Sequence, residues 1–215
     1  MYKKKPFLIV FEGVEGCGKS YQSQKLIKNL KKKGINSILT REPGGTRSAE
    51  SIRTLILKDY FNKGKEEKFD KYTDTLLYLA ARNEHIINKI KPALKKKKVV
   101  ICDRFIDSTF AYQVYGKKVN KTFIDFIHRF ILQGIKPNII FILKVSSKTS
   151  KLRLKKRKTK NRYDNFSQSF YTKAQKSFLK IAKNKKNYFV LDSSSNNNDL
   201  EKKIFNIVCQ KLKIK

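Results

Sequence analysis

Residues 13–20 read Gly-Val-Glu-Gly-Cys-Gly-Lys-Ser, a G-x-x-x-x-G-K-S segment that constrains the chain on both sides of it. Such a loop works only between the end of a buried strand and the start of a helix. Both flanks are present: the apolar run Phe7–Phe11 precedes it and the amphipathic "SYQSQKLIKNL" follows it. The glycines let backbone N–H groups turn inward around a phosphate, and the helix N-terminus adds partial positive charge. Gly13, Val14, Glu15, Gly16, Cys17, Gly18, Lys19, Ser20 and Tyr21 are therefore the expected contacts of a nucleoside triphosphate such as ATP. Lys19 is spaced to reach the β- and γ-phosphates, and the Ser20 hydroxyl to ligate Mg²⁺. The partner acid for that ion belongs at another strand tip, where "VVICDR" supplies Asp103. Arg104 beside it offers a planar fork of donors to a second phosphate.

Strand-like runs recur at Phe7–Phe11, Asn36–Thr40, Val99–Cys102, Ile139–Leu143 and Tyr188–Leu191. Helix-like stretches separate them, at about 18–33, 46–57, 70–94, 120–134, 146–157, 165–184 and 199–212. Strand and helix in alternation predict a doubly wound α/β fold with a parallel sheet, as one domain. Two segments interrupt the pattern. Asn62–Lys68 reads as a loop, and in "KLRLKKRKTKNRYD" (Lys151–Asp164) eight of the twelve residues 151–162 are basic.

That basic segment belongs to a wider imbalance: Lys plus Arg number 51 against 17 for Asp plus Glu, a formal net charge of +34. Such a balance fits a polyanionic partner. The lysines are nonetheless scattered through many segments, which reads as a compositional bias over solvated faces rather than a dedicated interface. Apolar residues at 40% still permit a globular core. Cys17, Cys102 and Cys209 show no C-x-x-C spacing and read as reduced thiols of a cytoplasmic protein. The apolar run after the basic N-terminus is too short for a signal sequence, and no segment approaches the ~20 apolar residues of a membrane span.

A triphosphate explains one cradle; three further segments describe an acceptor. "LTREPGGT" (Leu39–Thr46) puts Arg41 at the end of the second strand, where α/β sheets bind ligands. In "TLLYLAARNEHIINKI", Leu76, Leu79, Ala80, Ile87 and Ile90 recur at helical spacing and are expected to face the core. Tyr78 and Arg82, four apart, adjoin on another face. Together they suit a base: the ring stacks, and the donor-only guanidinium takes a carbonyl. Thymine presents O4 at that edge, whereas cytosine presents an amino donor. On spacing alone, a cation–π surface pair is the favoured reading. "DRFIDSTFAYQ" adds Ser108, Thr109, Tyr112 and Gln113 as polar contacts for base and sugar.

Taken in order, "EGVEGCGKS", "REPGGT", "LLYLAAR" and "DRFIDSTFAYQ" resemble the motifs of the thymidylate kinase family, whose members phosphorylate dTMP. The resemblance covers residues 11–113 and a lid-like continuation. The implied fold is that of the P-loop nucleoside triphosphatases of the nucleoside monophosphate kinase kind. That is a three-layer α/β/α sandwich on a five-stranded parallel sheet, with a short helical lid over about 151–164. It implies that Glu15 touches the sugar 3′-OH, that Arg41 and Arg104 bind the dTMP phosphate, and that Tyr78 stands in for a stacking Phe. Arg82 would read the thymine carbonyl, and Tyr112 would crowd the 2′ position. Ser108, Thr109 and Gln113 would line the nucleoside pocket.

Gly16 stands where one branch of the family carries its catalytic arginine, so the chain resembles the bacterial branch, with that arginine in the lid. Arg157 is the leading candidate, supported by Arg153 and Arg162. The implied reaction is MgATP plus dTMP giving ADP and dTDP, in a cytoplasmic homodimer with no membrane and no specific nucleic acid as partner. A kinase for another monophosphate, such as dUMP or a purine nucleotide, and a nucleic-acid-binding P-loop protein are the alternatives. The chain departs from the family at Phe105, Asn138, Lys144 and Lys158.

Overall fold

In the computed structural model, which describes residues 5–57, 69–156, 167–194 and 197–214, five strands form one parallel sheet. They are β1 (Phe7–Glu12), β2 (Ser37–Arg41), β3 (Val99–Asp103), β4 (Ile139–Lys144) and β5 (Tyr188–Asp192), in the order β2-β3-β1-β4-β5. β1 lies at the centre, and all six of its residues are buried. A strand buried on both faces must be continuously apolar, and "FLIVF" meets that condition.

Each strand runs one residue further at its C-terminal end than its apolar run, and the added residue is charged every time: Glu12, Arg41, Asp103, Lys144 and Asp192. Apolarity stops one position early because these tips face the edge where α/β sheets bind ligands. Arg41, Lys144 and Asp192 there meet solvent, whereas Glu12 is buried and held by hydrogen bonds.

The helices are α1 (Lys19–Lys32), α2 (Arg47–Leu57), α3 (Lys71–His85), α4 (Lys91–Lys95), α5 (Ile106–Thr109), α6 (Lys121–Leu132), α7 (Ser147–Lys155), α8 (Gln168–Ala182) and α9 (Asn197–Leu212). α3 continues into α4 through a π-helical turn at Ile86–Ile90, so 70–94 is one bent helix. Asp70, Asn120, Ser146 and Ser167 cap α3, α6, α7 and α8 with their side chains.

Helical structure over 106–116, α5 followed by a π-helical turn at Phe110–Gly116, was not expected from the sequence. Its polar Asp-Ser-Thr opening shows no apolar period, because its partners are the buried carboxylates and arginines of the cleft. The loop expected at Asn62–Lys68 and the tip of the lid, with Arg157, Lys158 and Arg162, lie outside the described residues.

One expectation fails on α3. Leu79 and Ile90 are buried, but Leu76 is 47% exposed, Ile87 38%, and Ala80 is also exposed. The buried side of α3 instead carries Asp74, Thr75, Arg82 and His85. The apolar period marked a real face of the helix but not the inward one, because the inward face is built from polar groups paired with one another.

Candidate functional site

The loop at residues 13–18 ends on Gly18, whose φ of 91° is left-handed and which caps α1 with no side-chain bond, leaving the first N–H groups of α1 open. Lys19 Nζ donates to the carbonyls of Gly13 (3.0 Å) and Val14 (2.9 Å) and lies 3.6 Å from Cys17 Sγ. The ammonium is thus held inside the loop by groups a phosphate oxygen can replace. Ser20 Oγ donates to Asp103 Oδ2 at 2.6 Å, so the two expected ion-binding oxygens meet. No cluster of three or more His, Cys, Asp or Glu side chains suited to a metal exists among the described residues. A hydroxyl and one carboxylate fit Mg²⁺, which commonly takes one or two carboxylates and completes its shell with water and substrate phosphates.

A Cβ at Gly16 would sit 2.9 Å from the Ser150 carbonyl oxygen of α7, on a φ of +71°, so no side chain fits there. α7 closes down on the loop. Ser150 Oγ donates to the Glu15 carbonyl (2.8 Å), and Arg153 donates to the carbonyls of Gly16 (3.3 Å) and Ser193 (2.7 Å). Arg153 therefore bridges the phosphate loop and the loop after β5.

A cavity of about 580 Å³ opens at the charged strand tips. Of the expected site residues, Glu15, Gly16, Gly18, Lys19, Ser20, Tyr21, Arg41, Tyr78, Arg82, Asp103, Arg104, Ser108, Thr109, Tyr112, Gln113 and Arg153 line it. Gly13, Val14 and Cys17 lie behind this lining, within the loop. Glu42, Pro43, Arg53, Leu57, Phe105 and Leu154 line it too and were not singled out in the sequence. Arg53 was the most detectable of them, an arginine on the helix that follows "REPGGT". It donates to the Pro43 carbonyl at 2.6 Å and stands near enough to Arg41 for their charges to interact.

Arg104, at φ 72°, holds a left-handed conformation that costs a non-glycine residue on the order of 1 kcal/mol. Its donors reach the Gly13 carbonyl (3.0 Å), Ser108 Oγ (3.0 Å) and Glu15 Oε1 (2.6 Å). The other Glu15 oxygen accepts from the Tyr112 hydroxyl at 2.7 Å. Burial pushes the Glu15 carboxyl up, but the charges of Arg104 and Lys19 and the Tyr112 bond hold it below its ordinary range. Tyr112 itself stacks on Phe170 of α8, centroids 5.9 Å apart. Arg41 is more than half exposed and is held aside by Glu50, which also takes the Gly45 N–H.

Arg82 is 3% exposed and anchored on every side. Nε donates to Glu42 Oε2 (2.7 Å), Nη1 to Thr109 Oγ1 (2.8 Å) and His128 Nε2 (2.8 Å), and Nη2 to the Phe105 carbonyl (2.7 Å). A guanidinium has five N–H donors; four are engaged among the described residues, and the fifth, on Nη2, remains for a ligand. Phe105 lies 5.4 Å under the guanidinium. Burial pushes Glu42 up, yet Arg82 and His85 hold it below the ordinary carboxylate range. Ser108 and Thr109 line the cavity as expected, but their hydroxyls are spent on Glu12, Arg104 and Arg82.

Because guanidinium only donates, His128 Nε2 must accept, so the ring is neutral. Burial and the Arg82 charge push its pKa down to about 3. His128→Leu removes an acceptor from a charged group, a loss of about 1.5–3 kcal/mol. It is expected to raise KM about tenfold or more for an acceptor nucleotide whose base Arg82 holds, with a smaller change in kcat, and His128→Asn, which keeps an acceptor, to restore most of the affinity. An unchanged KM in His128→Leu would remove His128 from base recognition.

Glu12 accepts from the N–H groups of Phe105 (2.8 Å) and Ser108 (3.1 Å) and from Ser108 Oγ (2.6 Å), pinning the turn that carries Arg104. Burial first, then the charge of Asp107, push it from 4.5 up to about 7. The folded state thus keeps a proton that the unfolded chain sheds above pH 4.5, so this contribution to stability falls as pH rises towards 7. His128 has the opposite sign. The unfolded chain binds a proton below pH 6.5 that the folded ring refuses down to about 3, so its contribution rises with pH over that range. Between pH 4.5 and 6.5 the two slopes, each about 1.4 kcal/mol per pH unit at full effect, oppose one another. Urea unfolding of His128→Asn is expected to show stability falling with pH in that window, against a flatter wild-type profile. Identical profiles would refute the opposition.

Comparison with known proteins places these motifs in context. A family model described as thymidylate kinase matches residues 11–204. A thymidylate kinase of Geobacillus sp. (strain WCH70) is 41% identical over 174 residues, 80% of each chain. One from Aster yellows witches'-broom phytoplasma is 40% identical over 209 residues, 95% of this chain and 96% of the relative. The crystal structure of thymidylate kinase from Ehrlichia chaffeensis superposes with a TM-score of 0.75 at 32% identity, over 95% of this chain and 99% of that one.

Proposed function

The chain belongs to the thymidylate kinase family, and from that premise we infer that its cleft transfers the γ-phosphoryl group of ATP to dTMP, giving ADP and dTDP. The observation that carries the reading is the shared cavity: Tyr78 and Arg82, suited to a thymine, line the same space as Lys19 and the Ser20–Asp103 pair. Two nucleotides can therefore meet phosphate to phosphate at one sheet edge.

The acceptor phosphate is already anionic, so the transfer needs no strong general base. Catalysis is positioning and charge neutralisation in a site shielded from water. Lys19 leaves the Gly13 and Val14 carbonyls for the β- and γ-phosphates. Ser20 and Asp103 would hold Mg²⁺, which would neutralise phosphate oxygens as a Lewis acid. Arg104, with Arg41 and Arg53 beside it, takes the dTMP phosphate; Glu15 takes the 3′-OH; Tyr112 closes the 2′ position. Tyr78 and Arg82 hold the base, with Gln113 buried at the pocket wall. Among the lid arginines, Arg153 is tied to carbonyls on the donor side, so Arg157 remains the candidate for the transferring phosphoryl group. The absence of room for a side chain at Gly16 supports a lid-borne arginine.

This reading takes residues 1–215 as one kinase domain, which the family match over residues 11–204 supports. Leu76 and Ala80 of α3 and Ile87 of the π-helical turn after it, with Phe126 and Phe130 of α6, leave apolar side chains exposed, and α3 and α6 pack against each other. Phe130, at 64%, is the most exposed large apolar residue among the described residues. This surface supports the homodimer, and sedimentation of Phe130→Asp as a monomer would test it. No helix among the described residues is long and apolar enough to cross a membrane, in keeping with a cytoplasmic enzyme.

The decisive assay is ADP formation with dTMP, dUMP, dCMP and dGMP as acceptors. We expect kcat/KM for dCMP to lie at least about 100-fold below dTMP, since its amino group meets a donor-only guanidinium. Equal use of dCMP would end the base assignment, and ADP formation independent of any monophosphate would end the kinase assignment.

A further inference from the structure

In a parallel sheet all strands begin at one edge, and here that edge lies opposite the cleft. The C-terminal ends of α1, α4, α6, α8 and α9 gather there. Hydrogen bonds join neighbouring turns side by side. Val99 N–H donates to the Asn36 carbonyl (3.0 Å), Asn138 N–H to the Leu8 carbonyl (2.8 Å), and Ile140 N–H to the Asn187 carbonyl (2.9 Å).

These turns are loaded with lysine. α1 ends on Lys31-Lys32 and is followed by Lys33, and four consecutive lysines, 95–98, lead from α4 into β3. The turn into β5 carries Lys183, Lys185 and Lys186, three lysines (3–5) precede β1, one (Lys136) precedes β4, and Lys211, Lys213 and Lys215 stand at the C-terminal end. Nearly all of those among the described residues are exposed. Residues 5–6, 31–36, 91–98, 133–138, 183–187 and 210–214 contain no Asp, Glu or Arg at all. Glu12, Glu15, Glu42 and Asp103 lie around the cleft, while Glu201 of α9 and the buried Asp107 are near enough to Lys32 and Lys185 respectively for their charges to interact.

Helix C-termini favour a basic residue in the last turn, which accounts for one lysine per helix and not for runs of three or four. Compositional bias accounts for the number of lysines and not for the exclusion of acids from every turn of one edge.

We propose that this lysine edge binds the phosphate backbone of nucleic acid without reading sequence, on the side of the molecule away from the kinase cleft. Five strands at ~4.8 Å spacing make an edge about 20 Å wide. A duplex presents one charge per ~1.7 Å, so on the order of ten phosphate charges lie within its reach. Lysines supply point charges; the turns themselves hold no arginine, and the nearest, Arg129, lies with the exposed Phe130 in the last turn of α6. A lipid surface fits less well, because a single exposed aromatic beside the edge is little apolar area to bury in a bilayer.

The test is fluorescence anisotropy with a labelled 20-base-pair duplex and the full-length protein, over a salt series. The edge variant combines Lys31→Gln, Lys32→Gln, Lys33→Gln, Lys95→Gln and Lys96→Gln. The control removes the same charge elsewhere: Lys28→Gln, Lys173→Gln, Lys176→Gln, Lys202→Gln and Lys203→Gln. The edge variant is expected to bind about tenfold or more weakly and to lose about three or more from the slope of log K against log salt, near 0.9 per lost phosphate contact. The control is expected to change less than about threefold on the same grounds, and both are expected to keep wild-type melting and turnover. Equal losses in the two variants would assign binding to composition and overturn the proposal. So would an edge variant that binds as wild type, or displacement of the duplex by saturating dTMP and ATP. Capture by phosphatidylserine vesicles without duplex binding would overturn it in favour of a membrane.

Discussion

Replacing Lys19 by alanine is expected to lower dTMP-dependent ADP formation by about 10³-fold or more while leaving the fold intact. The ammonium sits inside a loop whose carbonyls at 2.9 and 3.0 Å hold it only until a phosphate arrives. Its work falls on charge that accumulates as the phosphoryl group moves. Loss of a single preorganised donor to such charge costs about 10²–10³ in kcat, and here the lost group also carries a full positive charge. Stability should suffer little, because the side chain pairs with no carboxylate: alanine strands two carbonyl oxygens and no buried ion. Parallel measurement of kcat and melting temperature separates the two effects. A variant that retains a tenth of wild-type turnover would exclude Lys19 from the chemistry.

Arg82→Ala is expected to do two kinds of damage at once. Glu42, 5% exposed, would lose its main partner and keep only His85 beside it. Removing one member of a buried ion pair costs about 3–5 kcal/mol, which for a chain of this length lowers the melting temperature by about 10 °C. Thr109, His128 and the Phe105 carbonyl would also lose their donor. The base contact disappears as well, so preference for dTMP over dCMP is expected to fall by about 100-fold. Adding Glu42→Gln should recover stability without recovering base preference. If the double variant regained both, Arg82 would be a structural residue and the base would be read elsewhere. If Arg82→Ala melted as wild type, the buried pair would be worth far less than its geometry indicates.

Strand positions were legible to within a residue because a central parallel strand must be apolar throughout, and little else in the chain is. The phosphate loop was legible because its glycines, lysine and hydroxyl are required by backbone geometry within eight contiguous residues. The inward face of α3 was not. Arg82, His85 and Asp74 are buried by pairing with groups from "REPGGT", α6 and the turn before it, and such pairing leaves no periodic trace. The helix at 106–116 was missed for the same reason: Ser108, Thr109 and Asp107 look like turn residues until Glu12, Arg104 and Arg82 are seen beside them. His128 and Arg53 carried no signal of their own, being polar residues in otherwise ordinary amphipathic helices.

By itself, then, the order of residues determined the layered α/β architecture and the phosphate cradle, because each is written in neighbours along the chain. Which donors of Arg82 stay free, why Gly16 admits no side chain, and how lysines from separate turns come to share one edge were decided only by the tertiary structure. Those properties arise between residues far apart in sequence, and only folding brings their charges within hydrogen-bonding or Coulombic range.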